Sequence, residues 1–484
     1  MIDTFESTAR SVPDQVFFTF VGSNGIEVAC TYRQARLIAA SFARYLVARG
    51  VEPNDVVVLD LPNSPELVFL ILAAAYGAFT VVVMDQEVSE ADKLLRLYDI
   101  RRDGLNVVCT ITPHVAAELM VYVRGLFVEG GDTIAGLDAI IEARQASATL
   151  QRPSVAAPGS RNSGPLPRLN VKRSSAPLPH VMAPERPSVS SPLASPERLE
   201  RTSKPIMGEQ QDIIEEAVHY AERESHLFNP DVRGVILFTP TTAGKFKAVP
   251  LTWRQLTASA QSACAALMTY GAGLWQAALP FSHASGLAAL VRSVENRSSL
   301  RIYEVFDALR VLNDAEVRHA THIAVTDRML RDMLAVEEAR ASESLANAHI
   351  TFSQAVEAGM FTSEEAMRLA AAQVRPTAAI LSRLATYQGI LIVGGALNPT
   401  TVERALAQSA PIYDTYGVTE TSSLVATTAI TPDFTGGMQL LAGYSARIID
   451  PDGQGFGRLA LRGPGVFDGY LNARAAFTVD GFFL

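Results

Sequence analysis

Between Leu237 and Thr252 the sequence reads LFTPTTAGKFKAVPLT, directly after the start of the apolar run Val235-Ile236-Leu237-Phe238. Four threonines, a glycine and two lysines fall within these sixteen residues. A strand that delivers such a turn can aim backbone N–H groups and hydroxyls at phosphate oxygens, with a lysine adding charge. No glycine opens the turn and no helix with Ser or Thr follows the lysine, so it is not the GxxxxGK[ST] type. Taken alone it serves equally well as a polar turn. Four further stretches accompany it. AALPFSHASGL (Ala277–Leu287) reads as a strand-like entry into a Ser-His-Ala-Ser-Gly turn, and ILIVGGALNP (Ile390–Pro399) as a buried strand ending in Gly-Gly. IYDTYGVTETSS (Ile412–Ser423) and GRLALRGPGVFDGYLN (Gly457–Asn472) follow.

In this order and at these distances the five stretches resemble the adenylate-forming superfamily of acyl-CoA synthetases, firefly luciferase and peptide-synthetase adenylation domains. The segment GVEPNDVVVLDLPNSPELVFLILAAAYGAFTVVVMD (Gly50–Asp85) resembles the opening subdomain of the same family. Within it, FSHASGLAALVRSV, VFDALRVLNDAEVRHATHIAVTDRMLRDML and TETSSLVATT resemble the branch of 2-succinylbenzoate–CoA ligases of menaquinone biosynthesis.

The resemblance implies two half-reactions. A small carboxylate attacks the α-phosphate of ATP to give an acyl-adenylate and pyrophosphate, and the thiolate of the co-substrate CoA then displaces AMP. Both reactants of the first step are anionic, so Mg2+ and fixed donors are required around the phosphates. Thr239, Thr242, Gly244 and Lys247 are implied to hold the triphosphate. Gly394, Gly395 and Ala396 let backbone approach the adenine or acyl group. Tyr416 is implied to lie against the adenine with Gly417 beside it, Asp414 to accept from its amino group, and Thr419 to hold the α-phosphate. Glu420 is implied to bind magnesium, because a carboxylate beside a phosphate needs a bridging cation. Thr419, Glu420, Lys247 and His283 thus carry catalysis, His283 by positioning substrate at the acyl-side turn with Ser285 and Gly286. Arg292 in LVRSV suits a second substrate carboxylate, although its place favours a helix surface. His319 and His322 are assigned no chemistry.

Three departures from the family pattern accompany these matches. Pro240 and Thr241 stand where the family shows Ser-Gly, Ala243 for a threonine and Phe246 for a proline. The sequence stops at VDGFFL, where the family continues through a Thr-Gly-Asp into a small C-terminal domain bearing a catalytic lysine. The chain is therefore expected to lack that domain and to bind better than it catalyses. An insert rich in proline and serine is the third departure. Rival readings are a ligase for another aromatic or fatty acid, a non-catalytic binding protein that keeps the fold, and a peptide-synthetase adenylation domain. The last is disfavoured because no carrier module follows.

Positioning these turns requires alternating strands and helices. TYRQARLIAASFARYLVARGV carries apolar residues at helical spacing and stops near Gly50, VVVLDLP is a short buried strand, and a helix, turn and strand follow. The run LVFLILAAAYGAFTVVVM (Leu67–Met84) holds eighteen residues without a charge, but Gly77 and the β-branched Thr80–Val83 divide it into helix and strand rather than a membrane span. Such alternation predicts an α/β fold: two doubly wound α/β subdomains and a small β-rich one. Their expected limits are 1–146 for the first subdomain, 147–210 for the insert, 211–430 for the second subdomain with the nucleotide motifs, and 431–484 for the β-rich part. Residues 151–205 hold eleven of the 26 prolines and nine Lys or Arg against three Asp or Glu, and read as disordered.

Composition narrows the setting. The 484 residues are too many for one ordinary core. A formal charge of −9 without a basic folded face argues against nucleic acid as a partner. Cys30, Cys109 and Cys264 lie far apart, forming neither a disulfide framework nor a zinc site, as suits a reducing cytoplasm. The N-terminus MIDTFESTARSVPDQ is not a secretory signal, and a homodimer stays open.

Overall fold

The computed structural model describes residues 1–127, 207–240, 246–269, 271, 273–357, 382–434 and 436–484. The proline-rich insert of 151–205 and the loop centre 241–245 lie outside them.

Two parallel-rich sheets and one ribbon form a mixed α/β fold. The five-stranded sheet has the order β5 (Val107–Ile111), β3 (Val56–Leu59), β4 (Thr80–Val83), β6 (Arg233–Pro240) and β7 (Phe246–Thr252). Its first four strands are parallel, and β7 returns antiparallel to β6. The nine-stranded sheet begins with β14 (Gln439–Leu440), β13 (Ser423–Ala429), β12 (Ile412–Val418), β11 (Gly389–Ile392) and β10 (His322–Val325). It continues through β8 (Leu274–Ala277), β9 (Ser299–Tyr303), β1 (Val16–Val21) and β2 (Glu27–Thr31). From β12 to β1 all neighbours are parallel, and the outer strands pair antiparallel. A ribbon of β15 (Ser445–Ile449) and β16 (Arg458–Arg462) stands apart. Strands do not join the sheets in chain order: β1 and β2 enter the larger sheet, whereas β6 and β7 complete the sheet founded by β3, β4 and β5.

Period-two geometry explains the uninterrupted valine runs. Val57, Leu59, Val81, Val83, Val235 and Leu237 face a core shared with the large sheet. Val56, Val58, Val82, Ile236 and Phe238 face the opposite side with Ile100. A parallel strand covered on both faces has no solvent side and needs no polar alternation. The helix Pro65–Gly77 lies in the shared core with every residue buried. Ser64 starts it by accepting from the Leu67 amide at 3.2 Å, Pro65 pre-sets the first turn, and Ala78 ends it in the left-handed region at φ 52°. The charge-free run is thus helix, turn and strand, and among the described residues no helix is long and apolar enough to cross a membrane. The helix Tyr32–Ala48 opens with a capping box between Thr31 and Gln34 and is followed by Gly50 at φ +91°.

His322 opens β10, 4% exposed, with its ring stacked on Trp275 at 4.7 Å and its Nδ1 without a hydrogen-bond partner. Burial, and then the nearby Arg292 guanidinium, push the imidazole down to about 4. The folded state therefore refuses a proton that the unfolded chain accepts, so stability is intact above about pH 6.5 and falls as pH drops through that value towards 4. Chemical denaturation from pH 7 to pH 4 should show this group removing on the order of 3 kcal/mol. The difference in slope between wild type and His322→Gln measures it, and equal slopes would show that His322 titrates as an exposed histidine.

Candidate functional site

The turns that close β11 and the body of β12 make one concave surface. Gly394 and Gly395 leave β11 with φ +84° and +157°, conformations that side chains with a Cβ rarely adopt. Thr415 donates its hydroxyl to the Ile392 carbonyl and locks β12 against that turn. A cavity of about 940 Å³ results, walled by Gly394, Gly395, Ala396, Asp414, Tyr416 and Gly417, all singled out from the sequence. Burial raises the Asp414 carboxyl and the Tyr416 phenol, the latter also through the Glu420 charge.

At the end of β12 the chain makes the tight turn Thr419–Thr421 and folds back as β13. Ser422 and Ser423 adopt positive φ values of 57° and 102° there. Thr421 caps the turn, its hydroxyl accepting from the Val418 amide at 3.1 Å and donating to the Ser423 carbonyl at 2.8 Å. Gly417 is fixed by this return: a Cβ on it would lie 1.8 Å from the Ser423 carbonyl oxygen. Glu420 is buried at 7% exposure, and its Oε1 accepts the Tyr470 hydroxyl at 2.6 Å. Burial first, and then the accepting Glu420 carboxylate and its charge, push the Tyr470 phenol up.

The phosphate-loop candidates divide. Thr239, next to last in β6, pairs with Lys247 on β7, whereas Thr242 and Gly244 lie outside the described residues. Lys247 comes 3.5 Å from the Tyr470 hydroxyl and 4.5 Å from the centre of its ring, so Lys247, Tyr470 and Glu420 form one cluster. Phe246 takes the Arg96 guanidinium at 3.8 Å, with Phe238 on the other strand at 4.9 Å.

The acyl-side candidates also separate. His283 precedes the helix Ala284–Asn296, its side chain 57% exposed and Nε2 3.7 Å from Asp85. Ser285 is half-buried in the first turn of that helix. Gly286 has a packing reason, since a Cβ there would lie 2.0 Å from the Pro280 carbonyl oxygen. Arg292 corrects the expectation of a helix surface. It is 1% exposed, donates to the Ser423 hydroxyl at 3.4 Å and leaves Nε without a partner. Its helix carries ten buried residues between Gly286 and Asn296, and Arg292 falls on the face that packs on Trp275 at 5.9 Å. Burial lowers its affinity for the proton.

Sequence reasoning missed Tyr470, Asn472 and Arg96. The first two lie within the quoted stretch ending GYLN, but their partners are distant in sequence, and nothing local marks Arg96 in its helix Glu90–Arg102.

The AMP-binding enzyme family matches residues 5–471. A curated 2-succinylbenzoate–CoA ligase from Staphylococcus aureus (strain JH9) is 31% identical over 274 residues, 55% of this chain and 46% of that protein. The chain thus spans about half the length of the curated relatives it matches. The fold resembles o-succinylbenzoate coenzyme A synthetase from Bacillus subtilis in complex with ATP and magnesium ion, with a TM-score of 0.56 and 16% identity, covering 99% of this chain and 78% of that one. It equally resembles the inhibitor-bound N-terminal domain of FACL13 from Mycobacterium tuberculosis, with a TM-score of 0.57 and 14% identity, covering 100% of this chain and 98% of that one. Coverage of 99% or 100% of this chain gives no support to the expected lack of a C-terminal domain.

Replacing Gly417 by Ala should force β12 from β13 and cost about 1–3 kcal/mol, read as a lowered urea midpoint with an unchanged slope. An unaltered midpoint would show that the return has slack the contact distance denies.

Proposed function

This chain belongs to the AMP-binding enzyme family, and from that premise we propose that it activates a small carboxylic acid. The acid's carboxylate oxygen bonds to the α-phosphorus of ATP and pyrophosphate leaves. The sulfur of CoA then bonds to the acyl carbon and AMP leaves. The observation that carries this reading is the convergence of Gly394–Ala396, Asp414, Tyr416 and Gly417 on one cavity, with Glu420 and Lys247 clustered through Tyr470.

The roles follow from chemistry. Tyr416 offers a ring to the adenine and Asp414 an acceptor to its amino group, while Thr419 serves the α-phosphate. Thr239, Thr242, Gly244 and Lys247 serve the outer phosphates, Lys247 as a charge that screens their repulsion. Among the described residues no group of three or more His, Cys, Asp or Glu forms a metal cage. A single carboxylate, Glu420, would hold magnesium, which would supply charge neutralisation around the phosphates.

The acid is 2-succinylbenzoate, activated for menaquinone biosynthesis in the cytoplasm. Arg292 supports this choice. A buried guanidinium with an unpartnered Nε is costly unless an anion meets it, and the second carboxylate of this substrate is such an anion. Arg292 reaches Ser423, which pairs with Val418 at the end of β12, so it lies one strand from the cavity. His283, Ser285 and Gly286 shape the acyl end. Binding without turnover is the second reading, favoured by Pro240 and Thr241 where the family shows Ser-Gly in the phosphate loop.

Calorimetric titration with succinylbenzoyl, benzoyl, long-chain acyl and aminoacyl sulfamoyl adenosines tests the substrate and the site. The succinylbenzoyl compound should bind most tightly. Arg292→Met should weaken that compound by about 10–100-fold, the worth of a charged hydrogen bond, and leave the benzoyl compound unchanged. Preference for another acyl group discards the substrate, and binding of none discards the site.

A further inference from the structure

We infer that Tyr470 is a positioning residue for the Glu420 carboxylate, presenting it to a divalent cation and linking it to Lys247. The inference rests on the reading above that Glu420 serves a cation.

Tyr470 reaches the site on a strap tied at both ends. At its start, the Phe467 amide donates to the Glu420 carbonyl at 2.8 Å, and Gln255 donates to the Val466 carbonyl and to Asp468, both at 3.1 Å. At its end, the Leu471 amide donates to the Ala248 carbonyl at 3.1 Å. Asn472 accepts from the Ala248 amide at 2.8 Å, donates to the Phe246 carbonyl at 2.8 Å and reaches Asp99 at 3.2 Å. Gly469 lets the strap turn at φ +141°, and Phe467 buttresses the Tyr470 ring edge-on at 4.7 Å. Motif turn and phosphate hairpin are thereby bolted to one short segment, with the phenol between them.

The hydroxyl uses both of its capacities. It donates to Glu420 Oε1 at 2.6 Å and accepts from Lys247 Nζ at 3.5 Å, while the ring face lies beneath the same ammonium. A bond to Oε1 fixes the carboxylate plane and leaves Oε2 for a cation. Hydrogen bonds to a ligating carboxylate orient it in this way, and losing one typically weakens metal binding by about 10–100-fold. The Lys247 charge is held nearby without occupying the carboxylate, since the phenol stands between them.

Tyr470→Phe deletes the hydroxyl and keeps the ring, hence the contacts with Phe467 and Lys247. ATP binding to the full chain is measured by calorimetry with magnesium and again with a chelator. The variant should bind magnesium-ATP about 10-fold more weakly than wild type, with binding in chelator unchanged. In a Glu420→Gln background, adding Tyr470→Phe should cost nothing further. Equal loss with and without magnesium, or a loss that persists in the Glu420→Gln background, would make Tyr470 a packing residue and overturn the inference. Tighter magnesium binding would make the phenol a competitor and overturn it as well. If wild type binds ATP without any magnesium dependence, the reading of Glu420 falls and takes this inference with it; an unchanged Tyr470→Phe beside a magnesium-dependent wild type removes the inference alone.

Discussion

The whole arrangement depends on one shared apolar core, in which residues of both sheets pack together with the buried helix Pro65–Gly77. Fully burying a side chain such as Leu, Ile or Phe is worth about 1.5–3 kcal/mol, and this helix buries every one it has. Because the same cluster contains Leu59 and Val83 from one sheet and Leu300 and Leu391 from the other, the sheets cannot shift independently. Parallel strands then bring their carboxyl ends to common edges, where loops are free to carry chemistry. The β6–β7 hairpin and the β12–β13 return belong to different sheets, yet Tyr470 touches side chains from both.

Charge placement within this frame is economical. Most buried charges in the fold answer one another: Arg383 meets Glu337 at 2.6 Å, and Arg301 lies between Glu27 and Asp314. Arg292 differs: among the described residues it meets the Ser423 hydroxyl and the Trp275 ring rather than a carboxylate, while its helix and the large sheet close around it. Glu420 differs in the opposite sense, being buried with a phenol rather than a cation beside it. Desolvated charges without a counter-charge are expensive, and proteins keep them chiefly where a ligand supplies the missing sign. A buried cation near the acyl end and a buried anion near the phosphate end match the two signs that an acid and a nucleotide phosphate with its metal would bring.

What the sequence disclosed follows a physical line between local and distant signals. The helix Pro65–Gly77, the strand Thr80–Val83 and the stop near Gly50 were legible because capping residues, β-branched runs and glycine act within a few residues. Gly394, Asp414 and Tyr416 were grouped through the family resemblance, and they line one cavity because β11 and β12 are neighbouring parallel strands. Arg292 was misplaced because its neighbours in LVRSV describe an amphipathic helix but not which side packs on β8 and β13. Tyr470 was overlooked because its partners are 50 and 223 residues away, and no local pattern encodes a contact of that span. The exchange of strands between the two sheets is likewise a long-range choice, and segment limits drawn along the chain do not contain it.

Phe246 brings both kinds of information together. Against the family pattern it reads as the loss of a proline, a residue that stiffens a hairpin arm by fixing φ. In three dimensions its ring carries the Arg96 guanidinium at 3.8 Å, a contact worth about 0.5–2 kcal/mol. Phe238 receives the same guanidinium from the paired strand, and Asn472 takes the Phe246 carbonyl at 2.8 Å. Both arms of the hairpin are therefore anchored from outside, by a helix of the small sheet on one side and by the strap on the other. Stiffness that a proline would build into the backbone is supplied here by tertiary contacts, so the altered residue leaves the root of the loop held even though the loop's own sequence is unlike its relatives. The anchoring also holds Lys247, one residue beyond Phe246 on β7, beside the Tyr470 ring.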